Sequence, residues 1–142
     1  MRFLKTTLPA FLLLGAPLVA QVPNMSADLT IENAPVQMEI ALSCTFETEC
    51  FESESCAAST YMFELNGRAG GLTDTEMVVQ TELVSEIGDT RLIGARSGEA
   101  MSLAGGTFEA RHLLTLAADG AARYTLHYAE GPMVISYLGE CK

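Results

Sequence analysis

Four cysteines carry the plainest chemistry in this chain. Cys44, Cys50 and Cys56 are spaced six residues apart, and Cys141 is next to last. Structural zinc sites pair their ligands two to four residues apart, and a thioredoxin-like centre needs Cys-x-x-Cys. Neither spacing is present. Two structural disulfides are the remaining use, which places the protein in an oxidising compartment. Of the three possible pairings, Cys50–Cys56 with Cys44–Cys141 fits best. The first closes a small acidic loop. The second joins the first and last strong apolar patterns, where Cys141 shares parity with Met133, Ile135 and Tyr137, and Cys44 with Ile40 and Leu42. In the loop-entropy description the long bridge contributes roughly 4 to 5 kcal/mol and the short one about 2.

Other reactive side chains are sparse. His112 and His127 are the only histidines, and Asp119-Gly120 lies between them. A two-residue turn at Asp119-Gly120 would set His112 opposite His127, a weak candidate for a metal pair with no third ligand to complete it. Glu47, Glu49, Glu52 and Glu54 crowd the cysteine loop. They lack the Asp-x-Asp-x-Asp-Gly pattern of a calcium loop and read instead as a solvated face, open to a basic partner. There is no Gly-x-Ser-x-Gly, and Gly67-Arg68-Ala69-Gly70-Gly71 lacks the lysine and the strand–helix setting of a phosphate loop. No catalytic residue, cofactor or resident metal is called for, and an enzyme ranks behind a binding protein.

The elements that must position these residues are strands. From Val36 to Phe46, apolar side chains fall on every second residue, as a strand with one buried face requires. Shorter patterns follow at Tyr61–Leu65, 76–84, Arg91–Arg96, Ala100–Ala104, Phe108–Ala117, Ala122–Tyr128 and Met133–Leu138. Asn66-Gly67, Gly70-Gly71, Gly88-Asp89, Ser97-Gly98, Gly105-Gly106, Asp119-Gly120 and Gly131-Pro132 punctuate them as turns. Glu47 to Cys56 shows no strand pattern. The fold class is all-β, a small antiparallel barrel or sandwich of about seven to eight short strands stapled by disulfides. One tension follows. In a strict eight-strand meander with these bounds, Cys44 and Cys141 would lie at opposite rims, on the order of 20 Å apart, whereas a bridge needs α-carbons within about 7 Å. Either the strand count is odd or the tail after Leu138 folds back.

The start of the chain reads as an export signal. Arg2 and Lys5 precede an apolar run from Leu8 to Val19, and Ala20 offers a small residue before Gln21. Spanning a bilayer takes roughly 20 apolar residues, more than this run provides. The expected organisation is a signal at 1–20, a flexible lead-in at 21–35 and one β domain at 36–142. Without Arg2 and Lys5 the chain keeps six basic and eighteen acidic residues, a net charge of −12. So acidic a chain repels phosphate backbones and anionic lipid, which excludes nucleic acid as a partner and favours a basic protein.

Size, signal, acidity and the first-to-last cysteine layout resemble those of small periplasmic lysozyme inhibitors. The Ser-Gly-x-x-Tyr motif of one such family is not matched, because Ser97-Gly98 runs on into Glu99-Ala100-Met101. No residue role is carried over. The expectation is a periplasmic or secreted, non-enzymatic module that binds a protein partner, one version being an inhibitor of a basic envelope hydrolase. The alternative is a small-ligand carrier whose cavity Tyr61, Phe63, Phe108, Tyr124 and Tyr128 would line.

Overall fold

In the computed structural model, which describes residues 30–142, the alternating patterns become nine strands. These are β1 (Val36–Phe51), β2 (Ala57–Ala58), β3 (Met62–Gly71), β4 (Glu76–Ser85), β5 (Gly88–Ser97), β6 (Ala100–Gly106), β7 (Ala110–Leu116), β8 (Ala121–Tyr128) and β9 (Met133–Cys141). β1 and β3 to β9 follow one another as an antiparallel meander, and β9 pairs back onto β1 to close an eight-strand barrel. The short β2 adds to β1 outside that ring. No described residue is helical. The expected signal and the lead-in up to residue 29 lie outside the described residues. Residues 30–35 form a turn whose Ala34 is buried and whose Glu32 meets Arg68 at 3.2 Å.

The period of two decides what fills the barrel. Met77, Val79, Thr81 and Leu83 of β4 point inward, as do Leu114 and Leu116 of β7 and Ala122, Tyr124 and Leu126 of β8. They join Phe46, Phe63, Leu65, Leu92 and Leu103 in one core. An eight-strand barrel is just wide enough for its own side chains to occupy it. Each fully buried Leu or Phe contributes roughly 1.5 to 3 kcal/mol.

Several expectations change. The cysteine loop does carry strand: β1 runs on to Phe51, with an irregularity in its pairing to β9 between Phe46 and Thr48 that leaves Glu47 as the extra residue. Such a bulge shifts side-chain parity, which is why no alternation is visible across it. Cys44 therefore sits in mid-strand, directly opposite Cys141, and the two are bonded with α-carbons 4.0 Å apart. The strand count of the barrel itself is even and the tail does not fold back; the tension came from bounding β1 at Phe46 and β9 at Leu138. Cys50–Cys56 is the second bridge. Asn66-Gly67 is no turn but the middle of β3. A Cβ on Gly67 would lie 2.6 Å from Thr81 Cα and nearer still to the Gln80 carbonyl oxygen, so glycine is there to let two backbones approach. The turn expected at Gly88-Asp89 falls one step earlier, at Glu86 and Ile87, with Ser85 pairing Gly88. Phe108, expected in a strand, lies in the β6–β7 turn.

Candidate functional site: an aromatic mouth with an acidic rim

The ends of the barrel differ. At one end open the β1–β2 and β2–β3 connections and the β4–β5, β6–β7 and β8–β9 turns. All four tyrosines of the chain belong to this end. Tyr61 precedes β3, Tyr128 ends β8, and Tyr124 and Tyr137 point inward from β8 and β9. Tyr61 stacks on Tyr124 with ring centres 5.9 Å apart and lies tilted by 35° against Tyr137 at 4.8 Å. Phe46 and Phe63 pack beneath them, 5.3 Å from each other. Period-two alternation at the ends of adjacent strands thus gathers the large rings into one floor.

His112 joins this floor and His127 does not. Ala117 N–H donates to the Ala121 carbonyl, and Gly120 adopts a positive φ of 89°. The hairpin loop is therefore three residues, Ala118 to Gly120, and not two. That moves the register by one: His112 faces Leu126, and His127 faces Arg111. His112 turns inward, where Nδ1 lies 2.6 Å from the Tyr124 hydroxyl, whereas His127 is exposed. The metal-pair expectation falls with the register, and no group of three or more His, Cys, Asp or Glu suited to a metal occurs among the described residues.

Burial sets the chemistry of these groups. It holds His112 below its ordinary value, so the ring is neutral around pH 7 and acts as a hydrogen-bond partner. Burial, reinforced by the neighbouring Tyr61, drives the Tyr124 phenol far above its usual range. Tyr137 is pushed up to about 12, by burial first and then by the Glu49 carboxylate beside it. The Tyr61 hydroxyl is buried without a hydrogen-bond partner among the described residues. An orphaned hydroxyl costs about 1 to 3 kcal/mol.

Two depressions open onto this floor and share Tyr61 and Ile87. One, about 210 Å³, is bordered by Asp89, His112, Tyr124 and Tyr128. The other, about 510 Å³, is bordered by Glu49, Met62, Glu86 and Tyr137. Beside them Phe108, Tyr128 and Met133 line a third depression of about 640 Å³ with Glu109 and Glu130. Phe108 is 85% exposed and Ile87 73%.

The rim is acidic. Glu47, Glu49, Glu52, Glu54, Glu86, Asp89, Glu109 and Glu130 all lie on its turns and strand ends, and the connections at 52–61, 86–87, 107–109 and 129–132 hold no Lys or Arg. The four glutamates expected as one surface divide by role. Glu52 is tied down: its N–H donates to the Val134 carbonyl and its carboxylate accepts from Val134 N–H. Glu49 turns toward the mouth, while Glu47 and Glu54 remain exposed. Of the aromatic residues considered as a cavity lining, Phe63 and Tyr124 are core, Tyr61 and Tyr128 half-buried at the mouth, and Phe108 outside. Sequence reasoning placed Glu49 on a possible partner surface without its aromatic neighbours, and it missed Ile87, Asp89 and Tyr137 as mouth residues. The signal for Tyr137 was its parity with Cys141; the bulge hid that of Glu49. Compared with known proteins, the chain matches no family model, no curated sequence and no solved structure.

Proposed function

We propose that this protein is an exported, non-enzymatic module that binds a basic protein partner with the acidic mouth end of its barrel. One observation carries the reading. Eight carboxylates and two well-exposed apolar side chains, Ile87 and Phe108, surround one end of a barrel whose interior is occupied by its own side chains. A strong excess of negative charge around an aromatic face steers an oppositely charged protein and lets apolar anchors hold it. A filled interior supports this reading over a carrier. A basic envelope hydrolase, inhibited by occlusion, is one partner of this chemistry.

The test is calorimetric titration of the chain against purified basic peptidoglycan hydrolases at low and high salt, alongside a variant with Glu54, Glu86, Glu109 and Glu130 all changed to Gln. The expected result is saturable one-to-one binding that weakens with salt and falls at least tenfold in the variant. Absence of binding across such a panel, or an affinity indifferent to the four substitutions, overturns the proposal.

A further inference from the structure

We infer that the mouth depression of about 510 Å³ is a receptor for one cationic side chain of the partner, arginine before lysine. This rests on the reading of the acidic end as the binding face and says what happens at its centre. The depression is bounded by the rings of Tyr61 and Tyr137 and by the carboxylates of Glu49 and Glu86, with Met62 and Ile87 as apolar walls. Nothing cationic borders it. The salt bridges among the described residues, Arg68 with Glu32 and Lys142 with Glu140, lie elsewhere, so both carboxylates face the opening without a basic partner of their own.

An electron-rich face and an anion at one edge are the two things an organic cation seeks. A guanidinium lies flat on a tyrosine ring and offers its planar edge to a carboxylate, while its alkyl stem covers apolar walls. The opening of about 510 Å³ holds a full arginine side chain. The ring pair is already assembled: Tyr61 and Tyr137 sit 4.8 Å apart and are braced by Tyr124, which lies 5.9 and 5.8 Å from them. A cation entering there finds its surface preorganised, with no ordering of the rings needed on binding. Neutral ligands have less to gain, since the site supplies carboxylates and ring faces but no cationic group.

The chain reports on itself. It has four tyrosines and no tryptophan, and every tyrosine belongs to this end of the barrel. With no tryptophan present, the intrinsic fluorescence is that of these tyrosines and therefore reads the mouth. The probes are Nα-acetyl-arginine amide and its uncharged isostere Nα-acetyl-citrulline amide, titrated into the chain to millimolar concentration. The expected result is a saturable change with arginine and none with citrulline. Glu49→Gln and Tyr61→Leu each weaken it about tenfold, as loss of one ion-pair or cation–ring contact implies, and Glu140→Gln at the other end leaves it unchanged. A melting curve for each variant confirms that it is folded. No saturable change, equal response to both probes, or indifference to Glu49→Gln overturns the inference. The same variants are then titrated with a basic hydrolase that binds the chain. If Glu49→Gln leaves that affinity intact while a rim variant confined to Glu54, Glu109 and Glu130 abolishes it, the inserted cation is wrong and the acidic rim stands. If neither matters, both are wrong.

Discussion

Removing the two disulfides separately should give very unequal losses. Cys44 and Cys141 are 97 residues apart and their side chains are almost wholly buried at the seam where β9 meets β1. Chain entropy alone gives that bridge roughly 4.7 kcal/mol, because an unbridged denatured chain regains the freedom of a loop of about 100 residues. Replacing both by alanine also removes two buried sulfur atoms, adding about 1 kcal/mol. Cys50–Cys56 spans six residues in an exposed loop, and the same relation gives about 2 kcal/mol. Against a typical stability of about 5 to 15 kcal/mol, the seam variant is left marginal and the loop variant comfortably folded. The ladder from Cys44 to Phe51 still pairs β1 with β9, so the seam variant should retain its tyrosine circular dichroism in the cold. Urea unfolding of the parent, Cys44→Ala/Cys141→Ala and Cys50→Ala/Cys56→Ala chains, followed by that signal, measures the three stabilities. A larger or equal loss for the loop pair would refute the entropic reasoning; loss of the cold tyrosine signal in the seam pair would show that the hydrogen-bonded ladder cannot close the barrel unaided.

Three further outcomes follow from the same packing. Gly67→Ala should destabilise by about 3 kcal/mol or more, since its Cβ meets backbone atoms of β4 that cannot rotate away; a midpoint unchanged in urea would contradict the close approach. Thr81→Val should stabilise by about 1 kcal/mol, because the Thr81 hydroxyl is buried with no partner among the described residues and valine keeps its shape; a loss on thermal unfolding would show that the hydroxyl is satisfied after all. His112 has its folded-state value lowered by burial, so its neutral form stabilises fully above the ordinary 6.5 and the contribution is lost as pH falls through the lower folded value. His112→Gln should flatten the acid side of the melting-temperature profile between neutral pH and that value, and an unaltered slope would refute it.

How much of this was legible in the sequence depended on whether one local rule governed each stretch. Parity alone placed Ile40, Cys44, Tyr124 and Leu126 inside, and it joined Cys44 to Cys141, because a strand keeps its period as long as nothing is inserted. Each failure marks a place where one residue breaks that period or where glycine serves packing. Glu47 hid the last stretch of β1, from Thr48 to Phe51. One extra residue in the Ala118–Gly120 loop swung His127 out and left His112 alone beside Tyr124. Gly67 looked like a turn because glycine is common in turns, yet here it answers to a neighbouring backbone that no local pattern reveals. The mouth was the least legible part, since its floor draws on β1, β3, β8 and β9, and its rim on segments about 20 to 80 residues apart in sequence, brought together only when the barrel closes. Closure is thus what makes the site: the Cys44–Cys141 seam that fastens β9 to β1 also sets Tyr137 against Tyr61 and Glu49. Loosening that seam should therefore weaken arginine binding at the mouth before it unfolds the barrel, which couples the disulfide to recognition as well as to stability.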